Sequence, residues 1–329
     1  MKNKIDFVIP WVDGSDVEWL EEKKRFCKNN NDEKNAENRY RDMGILKYWF
    51  RSVEKYTPWV NKIYFITWGH IPDWLNTESD KIVVINHKDY IPKEYLPTFS
   101  SHVIELNIHR IKELSEHFVY FNDDMFITDY MDENDFFYNG VPKEYAILNP
   151  ISPTSEFEHI VVNNMRIINK HFDKNTILTR DKRKWLNIKY GKDNIRTIFL
   201  KRWDCFCGLK ESHLPNAYLK STFDEVWQEE NDLLKQTSSH KFRAIDDVNQ
   251  WLIKYWQIMQ GRFEPRSPKI GKRFDLTNNN EDVIMAIKKN TYKMICINDG
   301  NMNYNFDEAL QKIKDCFESV LPEKSIYEK

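Results

Sequence analysis

Short apolar runs rich in β-branched and aromatic residues recur along the first part of the chain, each bounded by polar or turn-forming residues: IDFVI (5–9), KIYFITW (62–68), KIVVIN (81–86) and FVYF (118–121). Runs of this length and composition suit strands buried on both faces. Between them the period changes. Met43, Leu46, Trp49, Phe50 and Val53 recur at helical spacing, and that helix should stop before Thr57-Pro58, because the residue before a proline disfavours helical geometry. Ser100-Ser101 is expected to cap another helix, with Ile104, Ile108, Ile111 and Leu114 on its apolar side and Glu105, His109 and Lys112 on its polar face. Strand, helix, strand, helix, strand in this order predicts an α/β fold with a largely parallel, Rossmann-like sheet and flanking helices.

CKNNNDEKNAENR (27–39) has the composition of a surface loop or a frayed helix end. The second half of the chain is less regular. Residues 216–235 and 246–260 have helical patterns, the latter carrying Val248, Trp251, Leu252, Tyr255, Trp256 and Met259 on one face after Asp246-Asp247 as a cap. Residues 294–297 predict a last strand, and Leu310, Ile313, Phe317 and Val320 mark a closing amphipathic helix. The expected organisation is an α/β core over residues 1–150, a mainly helical insertion over 151–290, and a strand and helix over 291–329 that return to the core.

At 329 residues, with 41% hydrophobic and 14% aromatic residues, the chain has the material for a full core and is not a disordered segment. A formal net charge of −2 supplies no global field to collect nucleic acid, so nucleic acid is not expected as a partner. No apolar run approaches the ~18 residues of a spanning helix. The start of the sequence lacks the apolar core and cleavage site of a signal peptide, and the five cysteines are odd in number and irregularly spaced. These features predict a cytoplasmic protein with free thiols; Cys205-Phe206-Cys207 with His213 is half a metal site that no second pair answers. The basic run TRDKRKWLNIKYGK (179–192), with Arg180, Lys182, Arg183, Lys184, Lys189 and Lys192 around Trp185, is either a solvated face or a contact with an anionic membrane or lipid carrier.

In open α/β sheets, ligands bind outside the carboxyl ends of the strands. Three expected strand ends carry acids and amides: Asp13 and Asp16, then Asn122-Asp123-Asp124, then Asn298-Asp299. Each pair taken singly could cap a turn. Acids gathered in one crevice repel one another unless a cation joins them, and hard oxygen ligands suit Mg²⁺ or Mn²⁺ bound with substrate phosphates. In SHKFRAIDD (239–247), a helix starting near Asp246 would place Arg243 and His240 beside its free N–H groups, an anion site; a plain surface pairing of Arg243 with Asp246 or Asp247 fits the spacing equally well. His213, in ESHLP (211–215), is a loop residue unless a hydroxyl lies within reach of it.

These segments resemble a known family. IDFVIPWVDGSD (5–16), RYRDMGILKYWFRSVEKYTPWVNKIYFITWGHIPDWLN (39–76), and LPTFSSHVIELNIHRI (96–111) running into FVYFNDDMF (118–126) are similar to the first two sequence blocks of the Stealth family; NNMRIINKHF (163–172), SHLP and HKFRAIDD resemble a third block, and ICINDGN (295–301) a fourth. The family comprises sugar-1-phosphate transferases of capsule and cell-surface polysaccharide assembly, related to the animal N-acetylglucosamine-1-phosphotransferase. The resemblance implies a GT-A-like core over 1–150 that binds a nucleotide-sugar, most often UDP-linked, and an insertion over 151–290 that carries His213 and Arg243. It assigns Glu105, Asp124, His213 and Arg243 to catalysis. Trp11, Asp13, Gly14, Asp16, Arg41, Arg110, Asn122 and His240 fall to substrate binding, and Asp123, Asp124 and Asp299 to the metal, Mg²⁺ or Mn²⁺.

The implied reaction passes sugar-1-phosphate to a hydroxyl of an acceptor glycan, free or lipid-linked, and releases UMP. His213 would act as base, or as a nucleophile in a two-step route. A metal-dependent glycosyltransferase releasing UDP would use similar architecture, and a non-catalytic carbohydrate-binding protein would use the aromatic residues alone.

Overall fold

The structure is a computed structural model and describes residues 3–27, 40–152, 154, 158–299 and 304–329. The loop expected over 27–39 lies, beyond Cys27, outside the described residues, as do Gly300 and Asn301 of the last acidic segment.

The strands in chain order are β1 (Ile5–Pro10), β2 (Ile63–Thr67), β3 (Ile82–Asn86), β4 (His117–Tyr120), β5 (Met125–Ile127), β6 (Phe137–Tyr138), β7 (Val141–Glu144), β8 (Asn216–Leu219), β9 (Glu264–Pro265), β10 (Gly271–Asp275) and β11 (Met294–Asn298). A main sheet has the order β3-β2-β1-β4-β8. All of its pairings are parallel except β4 with β8. The fold is thus α/β with a largely parallel, GT-A-like sheet, as the alternation of strand and helix periods predicts. Residues 216–219 differ from expectation, being the edge strand β8 rather than the start of a helix. NAYL, at four residues, is too short for periodicity to distinguish the two.

Side chains alternate across the sheet. Phe7, Ile9, Phe65 and Val119 join one core with Trp49 and Phe50 of the helix Leu46–Tyr56 and Phe317 of the helix Phe306–Val320. Val8, Tyr64, Phe118 and Tyr120 join the other, with Val103 of the helix Ser101–Leu106, Phe223 of Lys220–Glu229 and Trp256 of Trp251–Met259. Both faces are covered, which is why the parallel strands carry apolar side chains pointing both ways.

A second sheet, β10-β11-β5, begins where the first ends. The residues 121–124 between β4 and β5 are the joint, since β4 belongs to the main sheet and β5 pairs antiparallel with β11. The segment 151–290 is mostly helical, yet it also contributes β8 to the main sheet and β10 to the second.

The polar end of β1 at its start is fixed by a buried carboxylate. Asp6, fully buried, accepts from Asn61 Nδ2 at 2.6 Å, Lys62 N at 3.2 Å and Ser115 N at 2.8 Å. It thereby ties the entries to β2 and β4 to the central strand. Asp6→Ala would strand these donors in the interior. We expect a loss of about 2–4 kcal/mol, seen as a lower urea midpoint at unchanged slope.

Candidate active site

With β1 flanked by β2 on one side and β4 on the other, the chain's direction of travel across the sheet reverses between β1 and β4. That reversal leaves a crevice at the carboxyl ends of these two strands. The loops DGSD and NDD leave from there.

In the first loop the acids hold the backbone. Asp16 caps the helix Val17–Phe26 by accepting from Trp19 N at 2.8 Å, and Asp13 Oδ1 accepts from Ser15 N and Oγ. Gly14 is required by close approach, because a Cβ there would lie 1.9 Å from the carbonyl oxygen of Tyr40. The backbone at Tyr40 therefore packs directly against the DGSD loop. Trp11 is buried, stacked on Phe65, and its indole N–H has no hydrogen-bond partner. His70, which follows β2, was not anticipated from sequence. It accepts the Asp13 N–H at Nε2 (2.8 Å), so its ring proton resides on Nδ1, 3.9 Å from Asp16 Oδ2. Burial lowers its pKa against the pull of Asp16 and Asp13. A histidine three residues past the end of β2 was a visible signal.

The second loop carries the acids with fewest partners. Asn122 O accepts from Met125 N, closing the turn. Removal from water, then the carboxylates of Asp124 and Asp42, push Asp123 up to about 7. The backbone carbonyl of Asp124 accepts from Ile297 N at 2.8 Å, so β11 holds the turn in place. Asp124 Oδ2 accepts from the Cys296 thiol at 3.2 Å and lies 3.7 Å from His213 Nε2, while Asp124 Oδ1 is buried without a partner. Burial, then Asp124, raise the Cys296 pKa far above the usual thiol value, so it remains a protonated donor. His213 has φ +46°, a left-handed conformation that a non-glycine residue adopts at a cost, and its ring meets Trp251 edge-on.

The third acidic segment does not join these carboxylates in a ligand cluster. Asp299 Oδ2 faces Arg41 Nη1 at 3.8 Å, and Arg41 also lies over the Phe306 ring. Among the described residues, ligand atoms come together in two groups, Asp124 with His213 and Cys296, and His240 with Asp246 and Asp247; neither is the expected set of Asp123, Asp124 and Asp299. The buried, unpartnered Asp124 Oδ1 is what a hard cation would complete; the protonated thiol is not a ligand for one. Asp124 oxygen is the hard donor here that would hold Mg²⁺ or Mn²⁺.

Arg243 and Glu105 form the opposite wall. The helix expected from Asp246 begins at Trp251 instead, so it offers no N-terminal anion site to Arg243 and His240. The cause is Asp247, whose carboxylate is already committed: it meets His240 Nδ1 at 2.7 Å and His102 Nδ1 at 2.9 Å and accepts from Ala244 N at 2.9 Å. Burial opposes the charge on Asp247, yet the His102 bond and its companions bring its pKa below the ordinary value. Burial lowers His102 to about 4, so it is a neutral ring donating from Nδ1. Within this frame Arg243 Nη2 donates to Ser101 Oγ at 2.7 Å.

Glu105 is not on a polar face. The helix Ser101–Leu106 ends because Asn107 Nδ2 bonds the Val103 carbonyl, and both Glu105 and His109 are buried, leaving Lys112 exposed. Burial raises Glu105 to about 8, against the attraction of Arg243. Burial raises the pKa of Tyr120, at the end of β4, and the charges of Glu105 and Asp123 raise it further against the pull of Arg243. Arg110 is not brought here. It bonds Asn107 and covers Trp227, and with Lys220 it bears on Asp224, near the residues that precede β4. A cavity of about 350 Å³ lined by Asn3, Ile5, Trp59 and Tyr138 likewise lies by the opposite end of β1.

An α/β sheet with acids and an imidazole gathered at its switch-point crevice is suited to binding a phosphorylated donor. Residues 3–30 match Stealth protein CR1, conserved region 1, and residues 39–144 match Stealth protein CR2, conserved region 2. The chain is 48% identical to a capsular polysaccharide phosphotransferase of Streptococcus pneumoniae, with 100% of both chains covered. It is 42% identical to an exopolysaccharide phosphotransferase of Lactiplantibacillus plantarum (99% of this chain, 96% of the relative) and 42% identical to a receptor polysaccharide phosphotransferase of Streptococcus gordonii (100% of both). The chain belongs to the Stealth family.

The raised Glu105 pKa has a measurable consequence. Its ordinary value is 4.5 and its folded value about 8, so the folded protein holds this proton more tightly than the unfolded chain. The associated stability is present in full below the unfolded value and is lost as pH rises through the folded one. Glu105→Gln should remove that loss. Between about pH 5 and about pH 8 the variant should gain on the order of 1–3 kcal/mol relative to wild type in urea unfolding; parallel pH profiles would refute the assignment.

Proposed function

We propose that the protein transfers sugar-1-phosphate from a nucleoside diphosphate sugar, UDP-linked in the simplest case, to a hydroxyl of a glycan in cell-surface polysaccharide synthesis. The observation that carries this reading is the 3.7 Å approach of His213 Nε2 to Asp124 Oδ2, at the strand end where β4 passes into the second sheet. The relatives' names, all polysaccharide phosphotransferases, support the class of reaction.

In the proposed step the acceptor oxygen attacks the phosphorus that bears the sugar. A new O–P bond forms, the bond to the bridging oxygen breaks, and the nucleoside monophosphate leaves with that electron pair. The acceptor proton passes to His213 Nε2, and the Asp124 carboxylate stabilises the resulting imidazolium. Arg243 offers a planar pair of donors to the transferring phosphoryl oxygens. Glu105 lies buried beneath it and the Asp247 pairings with His102 and His240 position its loop. Bound at Asp124, with Asp123 adjacent, Mg²⁺ or Mn²⁺ would supply charge neutralisation for the diphosphate. Trp11, Asp13, Asp16, His70 and Arg41 would line the path of the donor past the end of β1, and Gly14 admits the Tyr40 backbone beside that loop.

Identification of both products by mass, after incubation with UDP-sugars, a divalent cation and candidate oligosaccharides, tests this reading. UMP and a phosphodiester are expected; UDP and a new glycosidic bond would assign the protein to the glycosyltransferases instead. Asp124→Asn and Arg243→Ala should each lower turnover by ~10²-fold or more, about 3 kcal/mol of barrier, while leaving the circular dichroism spectrum unchanged. A variant that keeps wild-type turnover removes that residue from the scheme.

A further inference from the structure

Outside the crevice, one surface breaks the rule that a helix on a soluble protein turns its apolar side inward. In the helix Asn194–Leu200, Thr197 is the buried residue, its Oγ1 accepting from Leu148 N at 3.1 Å. Ile195, Ile198 and Phe199, at i, i+3 and i+4 on the opposite side, are 55%, 45% and 68% exposed, and Trp203 just beyond is 58% exposed. The preceding turn packs on this helix through Asn194, which donates to the carbonyls of Asn187 and Gly191, and its Ile188 is 93% exposed.

The same stretch is strongly basic. Between residues 180 and 204 there are nine Lys and Arg against three Asp, in a chain of net charge −2. Some of these cations anchor the segment: Lys184 Nζ donates to the carbonyls of Gly261 and Phe263, and Lys189 Nζ to that of Pro265. Others are left over. Lys182, Arg183, Lys192, Lys201 and Arg202 are exposed, and among the described residues none has an ion-pair partner.

We propose that this face docks on an anionic lipid bilayer, with Ile195, Ile198, Phe199 and Trp203 entering the headgroup boundary and the surrounding Lys and Arg meeting lipid phosphates. An amphipathic surface with apolar and aromatic residues ringed by cations has the composition of an interfacial anchor. Trp is favoured at that depth, where its ring is apolar and its N–H is polar. A second copy of the chain is a poorer occupant, since pairing this face with itself would press like charges together. No helix among the described residues is long and apolar enough to cross a membrane, so the contact is peripheral. This inference goes beyond the transfer reaction and does not depend on it.

Co-sedimentation of the full-length protein with vesicles tests it. Binding is expected to phosphatidylcholine vesicles containing about 30% phosphatidylglycerol at about 0.1 M salt, with weaker binding at about 0.5 M. The exposed-site variants Ile195→Ser/Phe199→Ser and Lys201→Glu/Arg202→Glu should each lower the partition coefficient ~10-fold or more without altering the circular dichroism spectrum. Absence of binding, equal binding to neutral vesicles, or binding indifferent to both variants would overturn the proposal. So would a concentration-dependent dimer, measured by sedimentation equilibrium, that the Ile195→Ser/Phe199→Ser variant abolishes. The assay requires no turnover, so its failure and a failure of the proposed reaction are separate results.

Discussion

Parallel pairing of β1 with β4 at the centre of the main sheet is the constraint from which the crevice follows. Parallel neighbours deliver their following loops to the same end of the sheet, so DGSD and NDD emerge side by side although more than a hundred residues separate them. From that point the chain cannot continue in the same layer. Residues 121–124 turn it into a second sheet, and the Ile297 N–H bond to the Asp124 carbonyl locks the turn. A carboxylate at such a joint is held by backbone on both sides, which suits a group that must keep its position while its partners change.

Electrostatics divide the site into two unlike walls. On one, Asp124 has a protonated thiol on one oxygen and no partner on the other, an arrangement that leaves it available. On the other, Asp247 has spent its whole carboxylate on two histidines and a backbone amide. Removing such a charge from water costs several kcal/mol, offset here by three hydrogen bonds shared over both oxygens. The outcome is a rigid frame for the loop 240–247 and a neutral His102, leaving Arg243 as the cation that faces the buried Glu105. A guanidinium with one short neutral contact, to Ser101, can change partners at small cost when a phosphate arrives.

Much of this organisation is legible in the amino-acid order. The strands of β1 to β4 follow from apolar runs of strand length, and NDD stands out because three polar residues interrupt two such runs. The family resemblance adds His213 and Arg243, which spacing alone leaves as ordinary loop residues. What the order does not show is competition for hydrogen bonds. Asn107 stops a helix that periodicity carries to Leu114, and Asp247 answers histidines 7 and 145 residues away rather than capping the helix that follows. Periodicity also failed at NAYL, where one polar and three apolar residues serve as an edge strand. Cys296 looked like one of several unpaired thiols; only the antiparallel β5–β11 pairing brings it to Asp124.

The central claim is that Asp124, His213 and Arg243 address a single bound diphosphate. The most direct test is a crystal structure of the protein with a nucleoside diphosphate sugar, or a non-hydrolysable analogue, and a divalent cation. The account predicts the sugar-bearing phosphoryl group within about 3–4 Å of His213 Nε2 and of the Arg243 guanidinium, with the diphosphate beside Asp124. A diphosphate held elsewhere, with Arg243 still on Ser101 and His213 facing solvent, would contradict it.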